Sequence, residues 1–149
     1  SPTRFVNESP LAQPVPIKTV DNETFSGRLL LVEDNVTNQM LISRIFKKMG
    51  MEVSTVDNGV EALDILIGAQ AQEFDIVFMD VQMPLMDGCT AVKKLRAVSY
   101  DGAVIALTAN AMSEDRQMCL DAGFSDYSVK PVKRDHLKIL LELYLKQGE

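Results

Sequence analysis

A chain of 149 residues, 46% hydrophobic and 24% charged, has enough apolar material for one globular domain with a sizeable core and an appendage. Its formal net charge of −6 and the lack of any Lys/Arg-rich block argue against general binding to a nucleic-acid backbone. The apolar runs fall far short of the roughly 20 residues a membrane helix needs, and the polar, proline-bearing start lacks the apolar segment of a signal peptide.

Residues 1–26 carry Pro2, Pro10, Pro14 and Pro16 among polar residues without a sustained period, and read as a linker or disordered tail. The first residue is Ser1 and not Met, which suggests a piece of a longer protein. From residue 27 to 149 the pattern is that of one domain. Apolar runs at 28–32, 51–56, 74–79, 103–107 and 124–129 alternate with segments of helical period at about 36–49, 59–70, 87–98, 112–122 and 134–146.

Runs one, three and four are nearly all Val, Ile, Leu and other apolar residues, as in strands covered on both faces; the second and fifth alternate more, as edge strands do. In the first helical segment Leu41, Ile45 and Met49 recur at four-residue steps, with Arg44, Lys47 and Lys48 opposite, and Gly50 stands where a helix ends. Asn58 is placed to cap the second helix and Asp87 the third, while Ser113, followed by Glu114 and Asp115, is placed to open the fourth. The alternation predicts an α/β fold: a flavodoxin-like, doubly wound (βα)5 domain whose five-stranded parallel sheet has the order 2-1-3-4-5, with helices on both faces.

In such sheets ligands bind beyond the carboxyl ends of the strands, near the switch point. The first run ends in Glu33-Asp34, the third in Asp80, the fourth in Thr108 and the fifth in Lys130-Pro131. Taken singly, each has an ordinary explanation: Asp34 or Asn35 caps a helix, Thr108 sits in a turn, Lys130 is solvated. Jointly, three acids on one rim repel one another and cost stability without a cation. Their hard oxygens suit Mg2+ or Mn2+ and not zinc. A divalent ion beside a lysine makes a site for a phosphoryl group, which a neighbouring carboxylate can attack and a hydroxyl can receive.

The stretches LLVEDNVTNQ, MDVQMPLMDG, ALTANAM and YSVKP resemble the response-regulator receiver domains of two-component phosphorelays, over about residues 27–147. The wording is most like receivers attached to hybrid sensor histidine kinases. The resemblance implies that Asp80 is the phosphoacceptor, that Asp34 is a direct metal ligand and Glu33 one through water, and that the main-chain carbonyl of Gln82 completes the protein's share. It makes Thr108 the switch hydroxyl, Lys130 the counter-charge and Tyr127 the aromatic that reports the state. It matches Lys130-Pro131 to a pair whose peptide bond is often cis, and it makes small Ala109 a door to the acyl phosphate.

The function so implied is Mg2+-dependent transfer of a phosphoryl group from a phosphohistidine to Asp80, followed by a conformational switch or by transfer to a phosphotransfer domain. Such a domain catalyses its own phosphorylation and dephosphorylation, with no separate substrate turned over. Partners would be a histidine kinase core, a histidine phosphotransfer domain or both. Val36 and Met40, one helical turn apart, are candidate docking contacts. No nucleic acid or membrane contact is expected of this cytoplasmic segment, although the parent protein is free to be membrane-anchored.

Three other readings compete. A phosphorylation-independent pseudo-receiver would serve as an interaction domain alone. A Mg2+-dependent phosphohydrolase of the haloacid-dehalogenase type would want a second acid two residues after the nucleophile, where Gln82 stands. A nucleotide or flavin module would want a Gly/Ser/Thr-rich loop after the first strand, where EDNVTN stands. Cys89 and Cys119 have neither metal-ligand spacing nor a disulfide framework and read as reduced thiols, and His136 stands alone.

Overall fold

The structure, a computed structural model, describes residues 25–68, 73–83, 85–109 and 112–145. The element order is β1 (Arg28–Val32), α1 (Val36–Lys48), β2 (Glu52–Val56), α2 (Gly59–Ile67), β3 (Ile76–Asp80), α3 (Gly88–Ala97), β4 (Ala103–Thr108), α4 (Ser113–Ala122), β5 (Asp126–Val129) and α5 (Arg134–Leu145). All strands are parallel in the order β2-β1-β3-β4-β5, as the alternation predicts. The expected tail lies outside the described residues up to residue 24; Phe25 already donates its main-chain N–H to Met49 O at 2.7 Å and packs on the core.

Alternation along the strands divides the core into two layers. Leu30, Val32, Val77, Met79, Val104 and Ala106 face α2, α3 and α4, meeting Leu66, Val92, Leu95 and Cys119. Leu29, Leu31, Ile76, Phe78, Ile105 and Leu107 face α1 and α5, meeting Ile42, Phe46, Leu137 and Leu141. Phe46 and Phe78 pack at 4.7 Å between ring centroids, both fully buried. Each such aromatic contributes about 1.5–3 kcal/mol by leaving water. Because β3 and β4 are covered on both faces, their ends are held rigidly, and that rigidity fixes the rim.

One expectation about the helices needs correction. The buried face of α1 runs through Ile42, Phe46 and Met49, and Leu41 is exposed, so the stripe is turned one residue from Leu41/Ile45/Met49. Residues 40–42 and 45–46 supply two overlapping apolar stripes, and the side on which the sheet lies selects between them. Helix α4 does open at Ser113, with Glu114 and Asp115 in its first turn, behind Met112 at a cap position that has no side-chain cap bond. Asn58 and Asp87 do cap α2 and α3, accepting from the main-chain N–H of Glu61 and Thr90. The second helix ends at Ile67, with Gly68 as its C-cap, and residues 69–70 of its expected span lie outside the described residues.

Candidate functional site

Strand register brings the rim together. Val32 pairs with Met79, Asp80 with Leu107, and Thr108 with Val129, so Glu33, Asp80, Thr108 and Lys130 stand side by side at the strand ends. Main-chain bonds hold the row: Glu33 N donates to Val56 O at 3.1 Å and Lys130 N to Thr108 O at 2.7 Å. The Lys130-Pro131 peptide bond is cis. Past Asp80 the loop turns back so tightly that a Cβ at Gly88 would lie 2.5 Å from Asp80 O, and Gly88 N donates to Val81 O at 2.8 Å. The paired Asp87-Gly88 of the sequence thereby separates into a helix cap and a close backbone approach to Asp80.

One carboxylate oxygen each from Glu33, Asp34 and Asp80 lies within 4.8 Å of the others. Glu33, Asp80 and Thr108 are buried and Asp34 is exposed, so the cluster opens to solvent on one side. The Lys130 ammonium donates to Glu33 Oε1 and to Asp80 Oδ2, both at 2.9 Å. Asn35 N donates to Glu33 Oε2 at 3.2 Å, and Gln82 N donates to Asp80 Oδ1 at 3.0 Å.

Burial holds the Glu33 carboxyl above its usual range; the Lys130 bond opposes this and the Asp80 charge adds to it. Burial pulls the Lys130 ammonium down, but its bonds to Glu33 and Asp80 prevail and raise it. The lysine therefore stays charged, while ionised Glu33 remains the costly member of the pair. One ammonium is bonded to two of the three acids, and the carboxylate oxygens converge on an open point, so the residues fit a hard cation such as Mg2+ or Mn2+.

The family model of the response regulator receiver domain matches residues 29–142. The chain belongs to that family. The hybrid signal transduction histidine kinase L of Dictyostelium discoideum is 35% identical over 133 residues, covering 86% of this chain and 8% of that protein. The receiver domain spans only 8–15% of the length of the first curated relatives it matches. Among solved structures, the receiver domain of sensor histidine kinase PA1611 from Pseudomonas aeruginosa PAO1, crystallised with a magnesium ion coordinated in its active site cleft, is 37% identical with a TM-score of 0.72, covering 82% of this chain and 99% of that one. A chain of the co-crystal of the Saccharomyces cerevisiae histidine phosphotransfer protein Ypd1 and the receiver domain of Ssk1 is 28% identical with a TM-score of 0.74, covering 83% of this chain and 92% of that one.

Elsewhere on this receiver domain, Tyr127 is half-buried on β5, its hydroxyl accepting from Arg116 Nη1 at 2.9 Å, with the guanidinium 5.7 Å from the ring centroid. Ala109 is exposed beside Thr108. Val36 and Met40 are 64% and 60% exposed, so neither is spent on packing the helix to the sheet. The side chain of Gln82 is exposed.

Sequence reading missed two contacts. Gln39 donates to Glu33 O and to Asp57 Oδ1, tying the first strand end to the second. Arg116 anchors Tyr127 from α4. They join residues 6, 18 and 11 positions apart, and no local pattern announces them. His136 is not alone: its Nδ1 lies 3.2 Å from the fully buried Ser128 hydroxyl, a contact that fastens α5 to β5.

Proposed function

We propose that Asp80 accepts a phosphoryl group from a partner's phosphohistidine in a Mg2+-dependent reaction, after which the domain switches conformation or hands the group to a histidine phosphotransfer domain. The observation that carries this reading is the Lys130 ammonium, bonded at 2.9 Å to both Glu33 and Asp80 beside a third acid, Asp34. Glu33, Asp34, Asp80 and the Gln82 carbonyl would hold the metal, which would neutralise the phosphoryl oxygens.

An Asp80 carboxylate oxygen forms the new bond to phosphorus as the P–N bond to the donor histidine breaks, and the imidazole takes up a proton. Lys130 balances charge on the transferred oxygens, and Thr108 hydrogen-bonds one of them. Positioning and electrostatics supply most of the acceleration in phosphoryl transfer. Moving Thr108 to the phosphate frees room beneath it. Tyr127 then turns inward, giving up its bond to Arg116, so that the α4 and β5 face changes as a population shift between two states.

Exposed Val36 and Met40 offer the partner an apolar footing on α1. The parent protein is, on this reading, a hybrid sensor histidine kinase. No observation favours the pseudo-receiver: a domain without phosphoryl chemistry has no use for a self-repelling acid cluster with two buried members.

The test is to incubate the chain with acetyl phosphate or phosphoramidate and measure intact mass. A phosphoryl-sized gain is expected with Mg2+, and none without metal or in Asp80→Asn. No gain in wild type, together with no Mg2+ binding by titration, would sink the reading.

A further inference from the structure

Helix α1 carries no carboxylate, yet gathers Arg44, Lys47 and Lys48 in its C-terminal half. Among the described residues none of the three forms a salt bridge, in a chain of net charge −6. Together with Met40 they line one wall of a groove of about 540 Å³, whose other wall is β2, through Val53 and Thr55. Ser43 belongs to the same wall; it is 8% exposed, and its buried hydroxyl lacks a hydrogen-bond partner among the described residues. Such a group normally has one.

β2 is an edge strand and pairs with β1 alone. Glu52 N donates to Gly27 O and Val56 O accepts from Glu33 N, so the even-numbered residues of β2 turn their main-chain groups toward β1. Alternation turns those of Val53 and Thr55 to the free edge, and among the described residues no hydrogen bond reaches them. The two residues with open main-chain groups are thus the two that line the basic groove.

We propose that this groove docks an extended, acidic segment of a partner protein, which adds to the sheet alongside β2. Its main chain would pair with Val53 and Thr55. Every second side chain would point to α1, where carboxylates meet Arg44, Lys47 and Lys48 and apolar groups meet Met40. The five residues of β2 span about 17 Å, so a segment of similar length fills the edge. A small polyanion would satisfy the cations but leave the strand edge unmatched. A second copy of this chain would bring only Glu52 on its own β2 and set lysine against lysine. The site is independent of phosphoryl chemistry at Asp80.

The test uses the whole chain, isotope-labelled for NMR, titrated with three probes. These are a hexapeptide alternating glutamate and valine, the same peptide with lysine for glutamate, and inorganic tripolyphosphate. The acidic peptide is expected to shift the Val53 and Thr55 amide signals and slow their hydrogen exchange, with affinity falling as salt rises. R44E/K47E, at two solvent-facing positions, should weaken binding about tenfold or more while leaving the spectrum of the fold intact. Four results would overturn the proposal. They are no shift up to about 1 mM peptide; equal binding of the lysine peptide; tripolyphosphate shifting α1 signals while the peptide leaves Val53 and Thr55 unmoved, which makes it a small-anion site; or concentration-dependent self-association that protects β2.

Discussion

The two ends of β1 each carry a cation between acids, with different consequences. At the amino end, Arg28 Nη1 lies 2.8 Å from Glu73 and Nε 3.5 Å from Glu52, with side chains 43%, 45% and 80% exposed. At the carboxyl end, Lys130 Nζ lies 2.9 Å from Glu33 and from Asp80, whose side chains are 1% and 8% exposed. Water screens the first group, so its geometry says little about energy. The second has given up hydration, and each charge there depends on its neighbours. Proximity of opposite charges is common to both; burial separates a surface decoration from a chemical site.

The sharpest way to break this contrast is Lys130→Met. It leaves Glu33 and Asp80 facing each other without their ammonium, and stability at pH 7 without divalent ions should fall by about 3 kcal/mol. Urea unfolding with an unchanged m-value would measure it, and Mg2+ should recover part of the loss through the same acids. A loss under about 1 kcal/mol would mean that the carboxyl end behaves like the exposed one.

Glu33→Gln sharpens the same point through pH. Burial keeps the Glu33 carboxyl above its ordinary 4.5 in the folded chain. The native state therefore binds its proton more tightly than the unfolded chain does. As pH rises from 4.5 through the folded value, the native state holds more protons than the unfolded one, and the Glu33 contribution to stability falls. Gln carries no such cost. The difference in stability between E33Q and wild type should be smallest near pH 4 and grow toward pH 7, to a gain of order 1 kcal/mol. Parallel profiles would show that Lys130 fully offsets the burial of Glu33.

Much of this arrangement is legible in the sequence, because strand ends are. Buried parallel strands are written as unbroken apolar runs, so the first polar residue after each marks the rim, and Glu33, Asp80 and Thr108 are found by counting, while Lys130 follows the alternating fifth run. The cap at Asp87 is equally local. What escapes is whatever depends on which side an element meets its neighbour. The phase of α1 is ambiguous until the sheet chooses Ile42 over Leu41. Arg96 is another case: its guanidinium donates to the carbonyls of Tyr100, Gly102 and Gly123 and to the Ser125 hydroxyl, closing the loops around β4 and β5. In the sequence it is one basic residue near a helix end, the place where a solvated arginine is ordinary.

The smallest effect belongs to Arg28→Ala. It removes both exposed ion pairs and the contact of the guanidinium with Phe74, 5.3 Å from the ring centroid. It keeps the main-chain bond from Arg28 N to Asp75 Oδ2, which is independent of the side chain. Exposed pairs give back in lost side-chain entropy and screening most of what they gain, so the cost should be a few tenths of a kcal/mol in urea unfolding. It should shrink further in high salt, where the Debye length is short, whereas the Lys130→Met deficit persists because its charges are shielded from solvent. A loss above about 2 kcal/mol, insensitive to salt, would place Arg28 in the same class as Lys130 and remove burial as the property that distinguishes the two ends of β1.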